Sequence, residues 1–348
     1  MTAAALTAAK NRLRRKQMKN KNKPLKIFLR WLLCAVIIFI AFWFVLPPLN
    51  LRSSTLWGFL VFCIAVCTVI NSLPRLSEAL SGFSGMKRIP YASDYKGALK
   101  KTGKPFKIAL IAVLCIIVLN IAAWVSGAGI FNASRYVNLI TPEDGDFTAD
   151  VAEINRSQIP VVDRDTASRL GQRKLGEMSD LVSQFVIEED YTQINYKGKP
   201  VRVTPLTYGD IIKWFNNQSE GIPAYISVDM TTQETTLVRL EDGIKYSKGE
   251  FFLRNLDRCL RFKYPTKIFD NISFEIDENG TPYWVASCVG FKIGIWSGRD
   301  IEGAVLLNAV TGESEYYALD DIPSWVDQVY SSEMIMEQLT YNGKYRSG

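Results

Sequence analysis

The sequence predicts a membrane protein in which three transmembrane α-helices precede an extracytoplasmic α+β domain of antiparallel hairpins, with a candidate pair of internal repeats. Three observations predict it. Apolar stretches at residues 27–46, 56–73 and 106–126 are each close to the roughly 20 helical residues needed to cross a hydrocarbon core of about 30 Å. Charge is divided along the chain: residues 1–107 hold 19 Lys and Arg against Glu78 and Asp94 alone, whereas residues 108–348 hold 22 against 33 acids. From residue 135 onward the pattern changes to short alternating runs punctuated by turn residues, with a few amphipathic helical segments.

Residues 1–26 form a basic lead, with Lys10, Arg12, Arg14, Arg15, Lys16, Lys19, Lys21, Lys23 and Lys26 and no acid among them. The first span follows, with Trp31 and Trp43 at its ends and Pro47 and Pro48 closing it. The second, residues 56–73, carries Trp57 at its start and Asn71 near its end. Residues 74–105 are a second basic segment, containing Lys87, Arg88, Lys100 and Lys101, whereas the turn between the first two spans has only Arg52. Basic segments flanking apolar helices stay cytoplasmic, so the amino terminus and residues 74–105 are expected on that side. Three crossings then deliver residues 135–348 to the extracytoplasmic side of the plasma membrane. The third span is interrupted only by Asn120, whose amide is expected to bond a neighbouring helix or to sit at the interface. The long basic lead, a first apolar run of full span length and the absence of a small-residue cleavage pattern argue for a retained anchor rather than a cleaved signal peptide.

Within residues 135–348, residues 163–185 read as a helix with Asp165 as its N-cap. Tyr191–Asn195 with Val201–Val203 reads as a hairpin, and residues 208–217 as a short helix. Residues 225–240 and 272–285 read as further hairpins, the second turning at Asp277-Glu278-Asn279-Gly280. Residues 228–234 align at an offset of 79 with residues 307–313, and a helical stretch follows each copy, at 247–262 and 324–339. The candidate repeats lie around 223–263 and 303–340. Only four of the fifteen positions from 228 to 242 are identical, so duplication and chance likeness both remain open.

The Asn308-Ala309-Val310-Thr311-Gly312-Glu313 turn, and more loosely Asp229–Glu234, resembles the strand-turn-strand signature that ends PepSY-type modules. Residues 191–206, Lys213-Trp214-Phe215, Tyr264-Pro265-Thr266 and Pro282-Tyr283-Trp284-Val285 resemble a family of uncharacterised multi-pass membrane proteins of Gram-positive bacteria. That resemblance implies a location at the cell envelope and, through the association of PepSY-like modules with restraining or binding other proteins, an interaction role.

Chemistry is constrained more by absence than by motif. With no histidine in the chain, Ser-His-Asp and Cys-His catalysis and histidine metal sites are excluded. Neither a Gly-x-Gly-x-x-Gly nor a Gly-x-x-x-x-Gly-Lys-Ser/Thr motif is present, so nucleotide binding has no visible seat. Ser93-Asp94-Tyr95-Lys96 and Lys101-Thr102-Gly103 copy the Ser-x-x-Lys and Lys-Thr-Gly pair of penicillin-binding enzymes. They fall within eleven residues in a basic linker, without the intervening domain that such an enzyme requires.

Arg254, Arg258 and Arg261 recur at helical spacing and make a candidate anion-binding stripe for a phosphate, an acidic polymer or lipid head groups. The plainer alternative pairs Glu250 with Arg254 and Asp257 with Arg261, at about 0.2 to 0.5 kcal/mol each. The acids at 188–190, at Glu275 with Asp277 and Glu278, and at 320–321 sit beside turns and are expected to be solvated. A disulfide between Cys259 and Cys288 is left open.

No catalytic, cofactor-binding or metal-ligating residue is assigned. The expected function is a membrane-anchored binding or regulatory module, with the lipid bilayer and another exported or membrane protein as partners, and without nucleic acid. The alternatives are an envelope hydrolase with a serine-lysine or paired-carboxylate site, and an accessory subunit of a membrane transporter.

Overall fold

A computed structural model describes residues 23–84, 103–141, 145–150 and 159–346. Most of the basic lead, the Ser93–Lys96 motif and the centre of the second basic segment lie outside those residues. The chain divides into two compact units. One holds residues up to Pro47 with Ser54–Ala122, and the other holds Pro48–Ser53 with everything from Ala123 onward.

The first unit is helical. Helices α1 (Lys23–Val45), α2 (Ser54–Ser84) and α3 (Gly103–Ser126) each contain a stretch long and apolar enough to cross a membrane: Pro24–Val45, Ser54–Leu73 and Phe106–Ser126. Their apolar side chains are largely exposed within the protein, as lipid-facing helices require. Helix α2 runs eleven residues beyond the predicted span end at residue 73, because hydropathy marks the limit of the lipid and not of helical hydrogen bonding. Among the described residues, Asn120 bonds within its own helix and not to a neighbouring one. Its amide returns to the Ile116 carbonyl of its own helix at 2.7 Å, as Asn71 does to Cys67 at 2.8 Å.

The second unit is α+β, with two antiparallel sheets sharing one core. It begins with α4 (Gly129–Val137), a turn of helix at Phe147–Asp150, and α5 (Arg164–Gly176). The N-cap of α5 is Asp163 and not Asp165: its carboxylate accepts the Thr166 N–H at 2.7 Å. The helix predicted to reach residue 185 stops at Gly176, and the chain turns into a three-residue strand instead.

In the first sheet β1 (Phe185–Ile187) and β2 (Thr192–Tyr196) both pair with β3 (Lys199–Tyr208). The sheet continues through β4 (Ile222–Asp229) to β5 (Thr235–Ile244). Between β3 and β4, Asp210 caps the short helix α6 (Ile211–Asn217), accepting the N–H groups of Ile212 and Lys213. After β5, a single 3-10 turn at Phe252–Arg254 leads into α7 (Leu256–Lys263), capped by Asn255. The predicted continuous helix over 247–262 is therefore broken before Asn255, whose extended backbone ends one helical turn and caps the next.

The second sheet is a meander, β6 (Phe269–Ile276), β7 (Pro282–Ile293), β8 (Ser297–Asn308) and β9 (Ser314–Ala318). Alternation places Trp284, Ala286 and Cys288 in the main core with Phe274, Val305 and Leu307, whereas Val285, Ala304 and Leu306 face the other way. That second face is covered by residues 322–331, through Ile322, Trp325 and Val326, before helix α8 (Ser332–Arg346). Helix α8 starts eight residues later than predicted, because residues 322–331 are extended over the sheet. Cys259 and Cys288 are buried free thiols.

Candidate functional site

A cleft of about 680 Å³ opens between α5 and β1, lined by Arg164, Ser168, Gln172 and Leu175 on one side and by Phe185, Ile187 and Glu188 on the other. Its floor is apolar because Leu175 and Phe185 belong to the core. Close approach of the two walls depends on Gly171: a Cβ there would overlap the Tyr191 hydroxyl and press on the Ile187 side chain. That hydroxyl is buried without a hydrogen-bond partner among the described residues, and burial pushes its pKa up to about 12.

The strand wall has chemistry of its own. Gly209 N–H donates to the Gln184 carbonyl at 3.0 Å and Glu188 N–H to the Pro205 carbonyl at 3.1 Å. Antiparallel alternation therefore turns residues 184, 186 and 188 toward β3, and turns the peptide groups of Phe185 and Ile187 away from it. Phe185 N–H is taken by the Leu181 carbonyl at 2.9 Å. Among the described residues, Ile187 N–H and the carbonyls of Phe185 and Ile187 have no backbone partner.

Strand β2, which pairs with the other half of the same flank of β3, is different. Its Asn195 N–H donates to Asp327 Oδ2 at 2.5 Å, and its Gln193 carbonyl accepts Gln328 Nε2 at 3.0 Å. Residues 322–331 thus close the edge of β2, while the edge of β1 faces the cleft.

The charged rim of the cleft is fixed. Arg164 donates to the Glu189 carbonyl at 2.9 Å and to Asp190 Oδ1 at 2.8 Å, and Lys248 pairs with Asp190 Oδ2 at 2.9 Å. These contacts, led by Lys248, hold the Asp190 carboxyl below its ordinary pKa. Glu188 is half-buried, and burial pushes its carboxyl up despite Lys248. The acids at 188–190, expected to be solvated, are thus partly drawn into this network.

The three arginines singled out from spacing do not form one exposed face. Arg254 Nη1 donates to the Gln218 carbonyl at 2.6 Å, and Arg258 Nη1 to the Phe252 carbonyl at 3.2 Å. Arg261 is only 8% exposed, and its Nη1 donates to the Lys267 carbonyl at 2.7 Å beyond the end of α7. Glu250 is turned inward, where it accepts the Tyr208 hydroxyl at 2.7 Å and the Trp214 indole N–H at 2.8 Å.

Glu275 is also buried, contrary to its expected place beside a solvated turn. It accepts Ser273 Oγ at 2.9 Å and the backbone N–H groups of Asp327 and Gln328 at 2.9 and 3.1 Å. It anchors residues 322–331 and does not line the cleft.

Spacing alone misses the α5–β1 cleft, since β1 is too short to announce itself. The available signal was the Gly171 and Gly176 pair, which weakens the predicted helix where the structure turns into β1. Comparison with protein-family models, curated proteins and solved structures returned no match to the chain.

Proposed function

We propose that the chain is a membrane-anchored binding module whose α+β unit takes an extended polypeptide segment into the cleft between α5 and β1. The observation that carries this reading is the edge of β1. An outward N–H and two outward carbonyls border an apolar-floored cleft, which is the hydrogen-bonding complement of an added strand. The lining supplies apolar surface at Leu175, Phe185 and Ile187, and Gln172, Ser168 and Arg164 supply polar groups beside it.

The proposed orientation keeps the basic segments in the cytoplasm and the α+β unit outside, supported by the charge division along the chain. A duplicated, PepSY-like origin is supported by the two turns at Asp229–Glu234 and Asn308–Glu313. Asp229 Oδ1 accepts the N–H groups of Thr231 and Thr232, and Asn308 Oδ1 accepts those of Val310 and Thr311. In each, the sixth residue's carbonyl accepts the first residue's N–H at 2.9 Å, and the fifth residue has positive φ.

A peptide display library panned on the detergent-solubilised full chain tests the reading. Linear segments should be enriched whose binding is lost in Ile187→Pro and kept in Ile187→Val. Proline there removes the outward donor without removing a bond to β3. Enrichment that is indifferent to Ile187→Pro, or no enrichment, counts against it.

A further inference from the structure

Two segments far apart in sequence meet at one end of the first sheet and display a set of large apolar side chains. From α6 come Ile211, Ile212 (69% exposed) and Phe215. From the 3-10 turn and the residue before it come Phe251, Phe252 (66% exposed) and Leu253. Monomeric surfaces rarely gather such residues without use.

The tip is built and held. Trp214 packs beneath it, with ring centroids 4.7 Å from Phe251 and 6.2 Å from Phe252. Buried Glu250 fixes Trp214 and Tyr208, and Arg254 ties the 3-10 turn to the end of α6 through the Gln218 carbonyl. Phe252 adopts φ of 51°, unusual for a residue with a side chain, and Arg258 holds its carbonyl. Strain maintained to expose an aromatic ring is better explained by use than by accident.

The surroundings favour one occupant. Leaving out the buried Glu250 and Arg261, and Lys248, which pairs with Asp190, residues 245–267 still hold five Lys and Arg against Asp257, so this stretch is positive within an acidic half of the chain. At the far end of α7, the Pro265 carbonyl accepts Leu49 N–H at 2.7 Å and the Thr266 carbonyl accepts Asn50 Nδ2 at 3.0 Å. Leu49 and Asn50 belong to the short loop joining the first two candidate membrane helices. Helix α7 has eight residues, about 12 Å at 1.5 Å per residue, so the loop that joins the first two candidate membrane helices in sequence and the apolar tip lie at its two ends.

We propose that this tip inserts into the interfacial layer of a bilayer carrying anionic lipid, with Ile211, Ile212, Phe215, Phe252 and Leu253 as the immersed side chains and Lys213 among the cations at the head groups. Apolar and aromatic side chains with basic residues beside them are the composition of interfacial anchors. The cleft at β1 then works beside a membrane-held surface.

The full chain, reconstituted in nanodiscs of phosphatidylcholine with or without phosphatidylglycerol, tests this. An environment-sensitive fluorescent amino acid replaces Phe215, Leu253 or, as a control in the β4–β5 turn, Thr232, and nitroxide-bearing lipids serve as quenchers. Quenching at Phe215 and Leu253 should exceed that at Thr232 by about twofold or more, as expected for side chains immersed in the interface. It should rise with phosphatidylglycerol and fall with Lys213→Glu. Two tip positions guard against one substitution failing to fold. Quenching no greater at the tip than at Thr232 in both lipids overturns the proposal. So does a tip shielded from water but not quenched by lipid, which would assign the surface to a second protein chain.

Discussion

Glu275 accepts the backbone N–H of Asp327 at 2.9 Å from a position with no solvent exposure. Burial dominates its electrostatics and pushes its pKa up to about 7, although the N–H groups of Asp327 and Gln328 and the Ser273 hydroxyl pull the other way. An acid whose folded pKa lies above its unfolded value binds its proton more tightly when folded. Its contribution to stability is therefore greatest below about pH 4.5 and falls as pH rises through 7, by roughly 3 kcal/mol in all. Thermal unfolding midpoints of the full chain between about pH 5 and 8 should decline with pH, and Glu275→Gln should flatten that decline. Parallel curves would contradict this.

Glu250 supplies the second buried carboxylate. Replacing it by alanine leaves the Trp214 indole N–H and the Tyr208 hydroxyl without their acceptor, at a cost of about 2 to 4 kcal/mol. Trp214→Phe, which removes one donor and retains the ring, should cost less. Denaturant unfolding of both variants orders the two effects, and equal stabilities would mean that the carboxylate does not organise the tip.

At the cleft wall, Tyr191→Phe removes a buried hydroxyl that has no partner among the described residues and should be neutral or stabilising by up to about 1 kcal/mol. Gly171→Ala forces a methyl group against that same side chain and should destabilise by about 1 to 3 kcal/mol. Because the two side chains would touch, the double variant should recover part of the loss. Strict additivity in the cycle would place the strain elsewhere.

The paired turns give opposite expectations for neighbouring chemistry. Gln233 holds φ of 65° with a side chain, so Gln233→Gly should be tolerated or gain about 0.5 kcal/mol. Gly312→Ala meets both positive φ and the Tyr246 ring and should lose about 1 to 3 kcal/mol. Equilibrium unfolding distinguishes these signs directly.

Elements with strong periodicity were readable from the sequence. The three apolar helices appear where hydropathy puts them, and the hairpins at 191–203, 225–240 and 272–285 correspond to β2–β3, β4–β5 and β6–β7. Long-range polar contacts were not readable. Arg254, Arg258 and Arg261 look like a helical stripe in sequence, but a 3-10 turn and the Asn255 cap put Arg254 on a different element, and all three donate to backbone carbonyls. In sequence Glu250 reads as a helical ion-pair partner of Arg254, and Glu275 as a solvated acid beside the turn at Asp277–Gly280. Their partners, Trp214 and residues 327–328, lie 36 or more positions away, where no local pattern reaches.

Residues 322–331 follow the nine strands found among the described residues in chain order, yet they fasten Asn195 and Gln193 of β2 as well as Glu275 of β6. During synthesis the earlier strands can form their hairpins, but the buckle that joins them arrives last. Until translation has passed this stretch, the edge of β2 and the outer face of the second sheet stand open, and the nascent chain is most in need of protection from mispairing at that stage.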